Sequence, residues 1–110
     1  MVLLASAGAP SGEETLILYS KDGCCLCDGL KEKLAEFVGE PGGLPNLKLE
    51  VRDITTNDDW FQRFQYEIPV LALLPLQEGQ PETIIPRSSP RASAGRIQQS
   101  IEAALQKRAQ

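Results

Sequence analysis

Three cysteines fall within four positions of a 110-residue chain, Cys24, Cys25 and Cys27 in "LYSKDGCCLCDGLKEKL", and the chain has no others. Thiols so close together can be a redox pair with a spectator, part of a metal site, or small apolar side chains that happen to cluster. Cys24 and Cys27 are three apart, so in the first turn of a helix they lie on one side, within reach of each other. Unpaired N–H groups and the positive end of the dipole at that place favour thiolate over thiol, whose free pKa is about 8.5. Lys21 could add to the effect, while Asp22 and Asp28 oppose it. The chemistry this permits is thiol–disulfide exchange: Cys24, nearest the loop, attacks a disulfide, and Cys27 resolves the mixed disulfide. Cys25 fills the position between them and faces neither, and a disulfide between adjacent residues would demand a strained backbone. A closed zinc site wants four Cys or His ligands, and this chain offers three thiols and no histidine. The missing histidine also removes the usual partner of a cysteine protease nucleophile. An iron–sulfur cluster shared between chains stays open as an alternative.

The elements around the cysteines can be read from periodicity. "TLILY" (Thr15–Tyr19) is an apolar run with β-branched and aromatic residues, as expected of a strand covered on both faces. From Leu26 the spacing changes, with Leu30, Leu34, Phe37 and Val38 completing an amphipathic stripe that stops near "GEPGG". "NLKLEVRDI" alternates, placing Leu47, Leu49 and Val51 on one face of a strand and Lys48, Glu50 and Arg52 on the other. "TTNDDWFQRF" supplies capping residues and then Trp60, Phe61 and Phe64, a short second helix whose aromatic residues are expected in the core. "VLALL" and "PETIIP", separated by "PLQEGQP", predict an antiparallel hairpin, its second strand at an edge or end because Pro81 and Pro86 bracket it. Ile97, Ile101 and Leu105 mark a last helix, started by Ser89-Pro90 or by Ser93. The order β-α-β-α-β-β-α, with a right-handed crossover in its first unit, predicts a four-stranded mixed sheet with helices on both faces.

Composition sets the remaining bounds. The length suits one domain with a single modest core. Met1 to Gly12 reads as a flexible leader without the basic start of a secretory signal, leaving residues 13–110 as the domain. With no export signal and no apolar run near the ~20 residues of a membrane span, a cytoplasmic location is expected, and there a structural disulfide is not. The net charge of −4 argues against nucleic acid or an anionic membrane as partner. The charge is uneven. From Pro86 onward five basic residues face one acid, whereas residues 1–85 carry fourteen acids and six bases. Such a segment could contact an anionic small molecule, or be a solvated helix face.

"LILYSKDGCCLCDGLKEKL" followed by "LEVRDITTNDDWFQRFQYEIPVLAL" resembles the glutaredoxin-like branch of the thioredoxin superfamily, and within it the small proteins with a C-x-L-C turn. The resemblance spans about Thr15 to Leu105. It implies a thioredoxin-like fold of the glutaredoxin type and oxidoreductase or electron-transfer activity through Cys24 and Cys27. It also implies a cis proline at Pro69 facing the cysteines, with the backbone of Ile68 pairing with a bound peptide or glutathione. No bound cofactor is implied; glutathione is a candidate co-substrate, and the partners would be a disulfide-bearing protein or glutathione and a thiol reductant, met by a monomer. The alternative is a redox-sensing or partner-binding module. Ordinary glutaredoxins hold glutathione with a Gly-Gly pair and an Asp near the last helix, but here that region reads "IIPRSSPRASAGRI". Arg87, Arg91 and the N–H groups at the final helix start are the groups left to attract a carboxylate.

Overall fold

A computed structural model of the chain describes residues 14–77 and 79–109; the leader, Met1 to Gly12, lies outside them. Its elements are β1 (Glu14–Ser20), α1 (Cys25–Leu34), β2 (Leu47–Asp53), a 3-10 turn (Ile54–Thr56), α2 (Asp58–Phe64), β3 (Val70–Leu73), β4 (Thr83–Ile84) and α3 (Ala94–Ala109). The sheet order is β2-β1-β3-β4. β1 and β2 run parallel, with Leu16 opposite Leu49 and Tyr19 opposite Arg52. β3 is antiparallel to β1, and β4 closes the expected hairpin with β3.

The apolar run of β1 has a double use. Leu16 and Leu18 point into a core shared with Leu34 of α1 and Ile97 and Ile101 of α3. Ile17 and Tyr19 point the other way, against Phe64 of α2, Val70 and Ala72. All four β1 residues are fully buried, so helices do cover both faces of the sheet. Trp60 and Phe61 pack against the second cluster at its margin and are only partly buried.

Two details depart from the periodicity. α1 ends at Leu34, although the apolar stripe continues to Val38. Phe37 donates to Leu34 O at 3.2 Å in a tighter turn, and Gly39 takes a φ of 76° that reverses the chain. Phe37 thus reaches the same core from outside the helix, and Val38 bridges to Leu44 instead. Val51 shares a face with Leu47 and Leu49 yet is exposed. Phe37, Val38 and Leu44 shelter the start of β2, and Val51 lies at the far end, beyond them.

Candidate functional site

The cysteine turn is built where β1 ends. Lys21, Asp22, Gly23 and Cys24 form a four-residue turn closed by Cys24 N–H on Lys21 O at 3.2 Å. Its third residue has a φ of 82°, which only glycine takes without strain. Cys24 is extended and caps α1, its sulfur accepting the backbone N–H of Cys27 at 3.1 Å. Cys24 and Cys27 are joined as a disulfide with their Cα atoms 5.2 Å apart. The two sulfurs are not equivalent. Cys24 is partly exposed, whereas Cys27 is 1% exposed. Cys25 is a free thiol on the surface.

The Ile68–Pro69 peptide is cis. Pro69 lines a cavity of about 350 Å³ together with Cys25 and Leu26. Leu30, Leu71, Ile84 and Ile85 make its wall apolar, and Arg87 stands at its edge. The N–H of Ile68 donates to Phe64 O at 3.1 Å, at the end of α2, so that donor is already engaged. Arg91 does not line this cavity. It stands in an adjoining, more polar groove with Arg87, Arg96, Ser88, Ser89 and Ser93. Lys21 lines neither; it is exposed, and its positive charge helps hold the Asp53 carboxyl below the ordinary range, after the hydroxyl and N–H of Thr55. Of the positions singled out from sequence, the structure therefore joins Cys24 to Cys27 and brings their neighbours Cys25 and Leu26 to one cavity with Pro69; Arg91 stands next door, and Lys21 enters through its backbone carbonyl in the turn.

Two arrangements had no signal in the one-dimensional pattern. Lys33 of α1 donates through Nζ to the carbonyls of Pro90 at 3.0 Å and Ala92 at 2.7 Å. It ties the arginine-bearing segment to the cysteine helix. Tyr19, in the core as expected, donates its hydroxyl to Glu82 Oε1 at 2.6 Å and accepts from Arg52 Nη1 at 3.1 Å. Arg52 also pairs with Glu50 and lies over the Trp60 ring at 5.0 Å. Burial first, and then the Glu82 carboxylate, push the Tyr19 phenol up to about 12. Strand register was the missing information for Tyr19, and the packing of the 86–93 segment on α1 for Lys33.

A family model described as "Glutaredoxin-like domain (DUF836)" matches residues 15–102. The chain belongs to the glutaredoxin-like domain family. Solved structures agree on the fold of this glutaredoxin-like chain. Thioredoxin 1 from the thermophilic eubacterium Thermosipho africanus TCF52B is similar with a TM-score of 0.55 at 18% identity, over 87% of this chain and 99% of that one. Trxlp from Edwardsiella tarda EIB202 gives 0.55 at 20% identity, over 81% and 82% of the two chains. "Structure of a malarial protein" describes a third, with a TM-score of 0.50 at 14% identity over 86% and 99%. No curated protein matches in sequence. The glutaredoxin-like chain therefore has a thioredoxin-type α/β fold with a disulfide-capable pair at a helix start. No helix among its described residues is long and apolar enough to cross a membrane.

Proposed function

We propose that this glutaredoxin-like protein is a thiol–disulfide oxidoreductase in which Cys24 is the nucleophile and Cys27 the resolving thiol. The observation that carries this reading is the unequal environment of the pair: a partly exposed cysteine whose sulfur accepts a helix N-terminal N–H, and a buried cysteine a turn behind it. In the reduced protein the N–H of Cys27 would solvate a Cys24 thiolate, and the dipole of α1 would favour the same charge. The thiolate attacks a substrate disulfide, forms the Cys24 mixed disulfide and releases one substrate thiolate, which takes a proton from water. Cys27, deprotonated, then attacks the Cys24 sulfur, expels the second thiolate and leaves Cys24–Cys27 oxidised. Two electrons pass from protein to substrate, and an external thiol reductant restores the pair. A disulfide-bearing protein or glutathione disulfide would serve as the oxidised partner, with Pro69 and the carbonyl side of Ile68 shaping the approach.

The test is a redox titration with mass mapping, joined to alkylation by iodoacetamide as a function of pH. Cys24–Cys27 should form as a single two-electron couple, and Cys24 should be alkylated at pH values where Cys27 is still protected. A pair that never forms under oxidising buffer would sink the reading.

A further inference from the structure

The proposed exchange leaves open what lies on the other side of the substrate sulfur, and the two adjoining depressions bear on that. The cavity that starts at Cys25 and Leu26 is mostly apolar, with Lys33 and Glu67 as the charged side chains of its lining besides Arg87. Arg87 and Ser88 belong both to its far end and to the polar groove beyond, so the two are continuous. In that groove Arg91 and Arg96 join Arg87 among serine hydroxyls.

These three guanidiniums differ from the other arginines whose side chains are described. Arg52 pairs with Glu50 and Glu82, and Arg63 with Asp59. Among the described residues Arg87, Arg91 and Arg96 have no carboxylate partner, in a chain whose net charge is −4. The segment that carries them is held in place. Ile85 N–H bonds Leu71 O at 2.9 Å, Ala92 N–H bonds Ser89 O at 2.9 Å, and Lys33 grips the carbonyls of Pro90 and Ala92 from α1. The helix end itself is already satisfied in part, since Ser93 Oγ accepts the N–H of Arg96 at 3.2 Å. Attraction for an anion rests on the guanidiniums, not on the dipole.

Resting on the exchange reading for the sulfur, we propose that the site takes a low-molecular-weight disulfide of a thiol carried on an uncharged arm that ends in phosphate. The arm runs from Cys24 over Cys25 and Leu26 into the apolar cavity, and the phosphate end meets Arg87, Arg91 and Arg96. Guanidinium forks match phosphate oxygens in geometry as well as charge. A tripeptide thiol fits less well: it brings two carboxylates and an ammonium close to its sulfur and leaves the apolar wall without a partner. A cavity of about 350 Å³ is in the range that small-molecule arms occupy. The bond changes are those already written, with the phosphorylated thiol as the leaving group in both steps.

Binding and exchange are measured separately. S-Methyl coenzyme A and S-methyl pantetheine, thioethers that cannot exchange, are titrated into the oxidised protein by calorimetry or NMR. The expected result is that the phosphorylated probe binds at least about tenfold more tightly, that this margin shrinks with salt, and that Arg91→Ala/Arg96→Ala removes it. Equal affinity of the two probes, or binding of inorganic pyrophosphate as tight as that of S-methyl coenzyme A, would overturn the proposal. Reduced protein is then offered coenzyme A disulfide, pantethine and glutathione disulfide, and the first should react fastest. Equal rates for all three would also overturn it while leaving the oxidoreductase intact. Selective binding without exchange of any disulfide would sink the oxidoreductase and keep the ligand site.

Discussion

Cys24, Cys25 and Cys27 are chemically one residue type, and burial divides them: partly exposed, exposed and 1% exposed in turn. Helical spacing alone was enough to separate Cys25 from the other two, because adjacent residues on a helix face different ways. Cys27→Ser should therefore trap a mixed disulfide on Cys24, seen as a stable mass increase, and Cys24→Ser should trap none there; the reverse pattern would exchange the two roles. Tyr19 was legible as core from its run of apolar neighbours, but its partners were not. Arg52 is 33 positions away and Glu82 is 63, and only the register of the sheet brings them to one phenol. A pKa raised to about 12 in the folded state, against the ordinary 10.0, means that the native protein holds the phenol proton more tightly than the unfolded chain. The associated stability is fully present below pH 10 and is lost as pH rises towards 12, at most about 2–3 kcal/mol. Tyr19→Phe should flatten the fall in denaturation midpoint across that window. An unchanged slope would show that Tyr19 is not its source.

The elements show where pattern outruns backbone. The apolar stripe that began at Leu26 was legible through Val38, yet the helix stops at Leu34 because the chain must turn back towards β2 within a dozen residues. Gly43 is part of that return. A Cβ on it would sit 2.6 Å from the backbone oxygen and Cβ of Phe37, whose carbonyl also receives Leu44 N–H at 2.8 Å. Gly43→Ala should cost about 1–3 kcal/mol in chemical denaturation, since a core residue or its hydrogen bond has to move. At the last helix two starts were open on sequence, and the hydrogen bond from Arg96 N–H decides for Ser93. Ser93→Ala should cost about 1 kcal/mol, with α3 amides exchanging faster in hydrogen–deuterium experiments. Ser89 is a different case, accepting Arg91 N–H at 3.2 Å inside the connecting segment, and its replacement should leave α3 protection as it was.

For the molecule as a whole, the order of elements was enough to give the fold, because a β-α-β start has one common hand and a hairpin has one sense. The site was half legible. The cysteines carry their meaning in residue type and spacing, whereas the cis Pro69 was legible only through the family resemblance. The wall of the cavity does not, since Leu26, Leu71 and Ile84 come from three separate elements and each looks like ordinary core in its own segment. The basic tail was legible as a surplus of charge, but whether those arginines were paired required knowing what stands opposite them.

The sheet order also has a bearing on crowding. β2 and β4 are the outer strands, so both present backbone groups that another copy could continue. The long one, β2, carries an exposed Lys48 and the Glu50–Arg52 pair on the side away from the main core, and the short one has two residues between Pro81 and Pro86. Charge guards one border, and brevity with proline the other. Lys48→Val, which removes the exposed charge at the start of the strand, should turn β2 into a template for strand-on-strand association. Sedimentation or light scattering against protein concentration would register the change, and a variant that stays as dispersed as the wild type would show that Lys48 is not the guard.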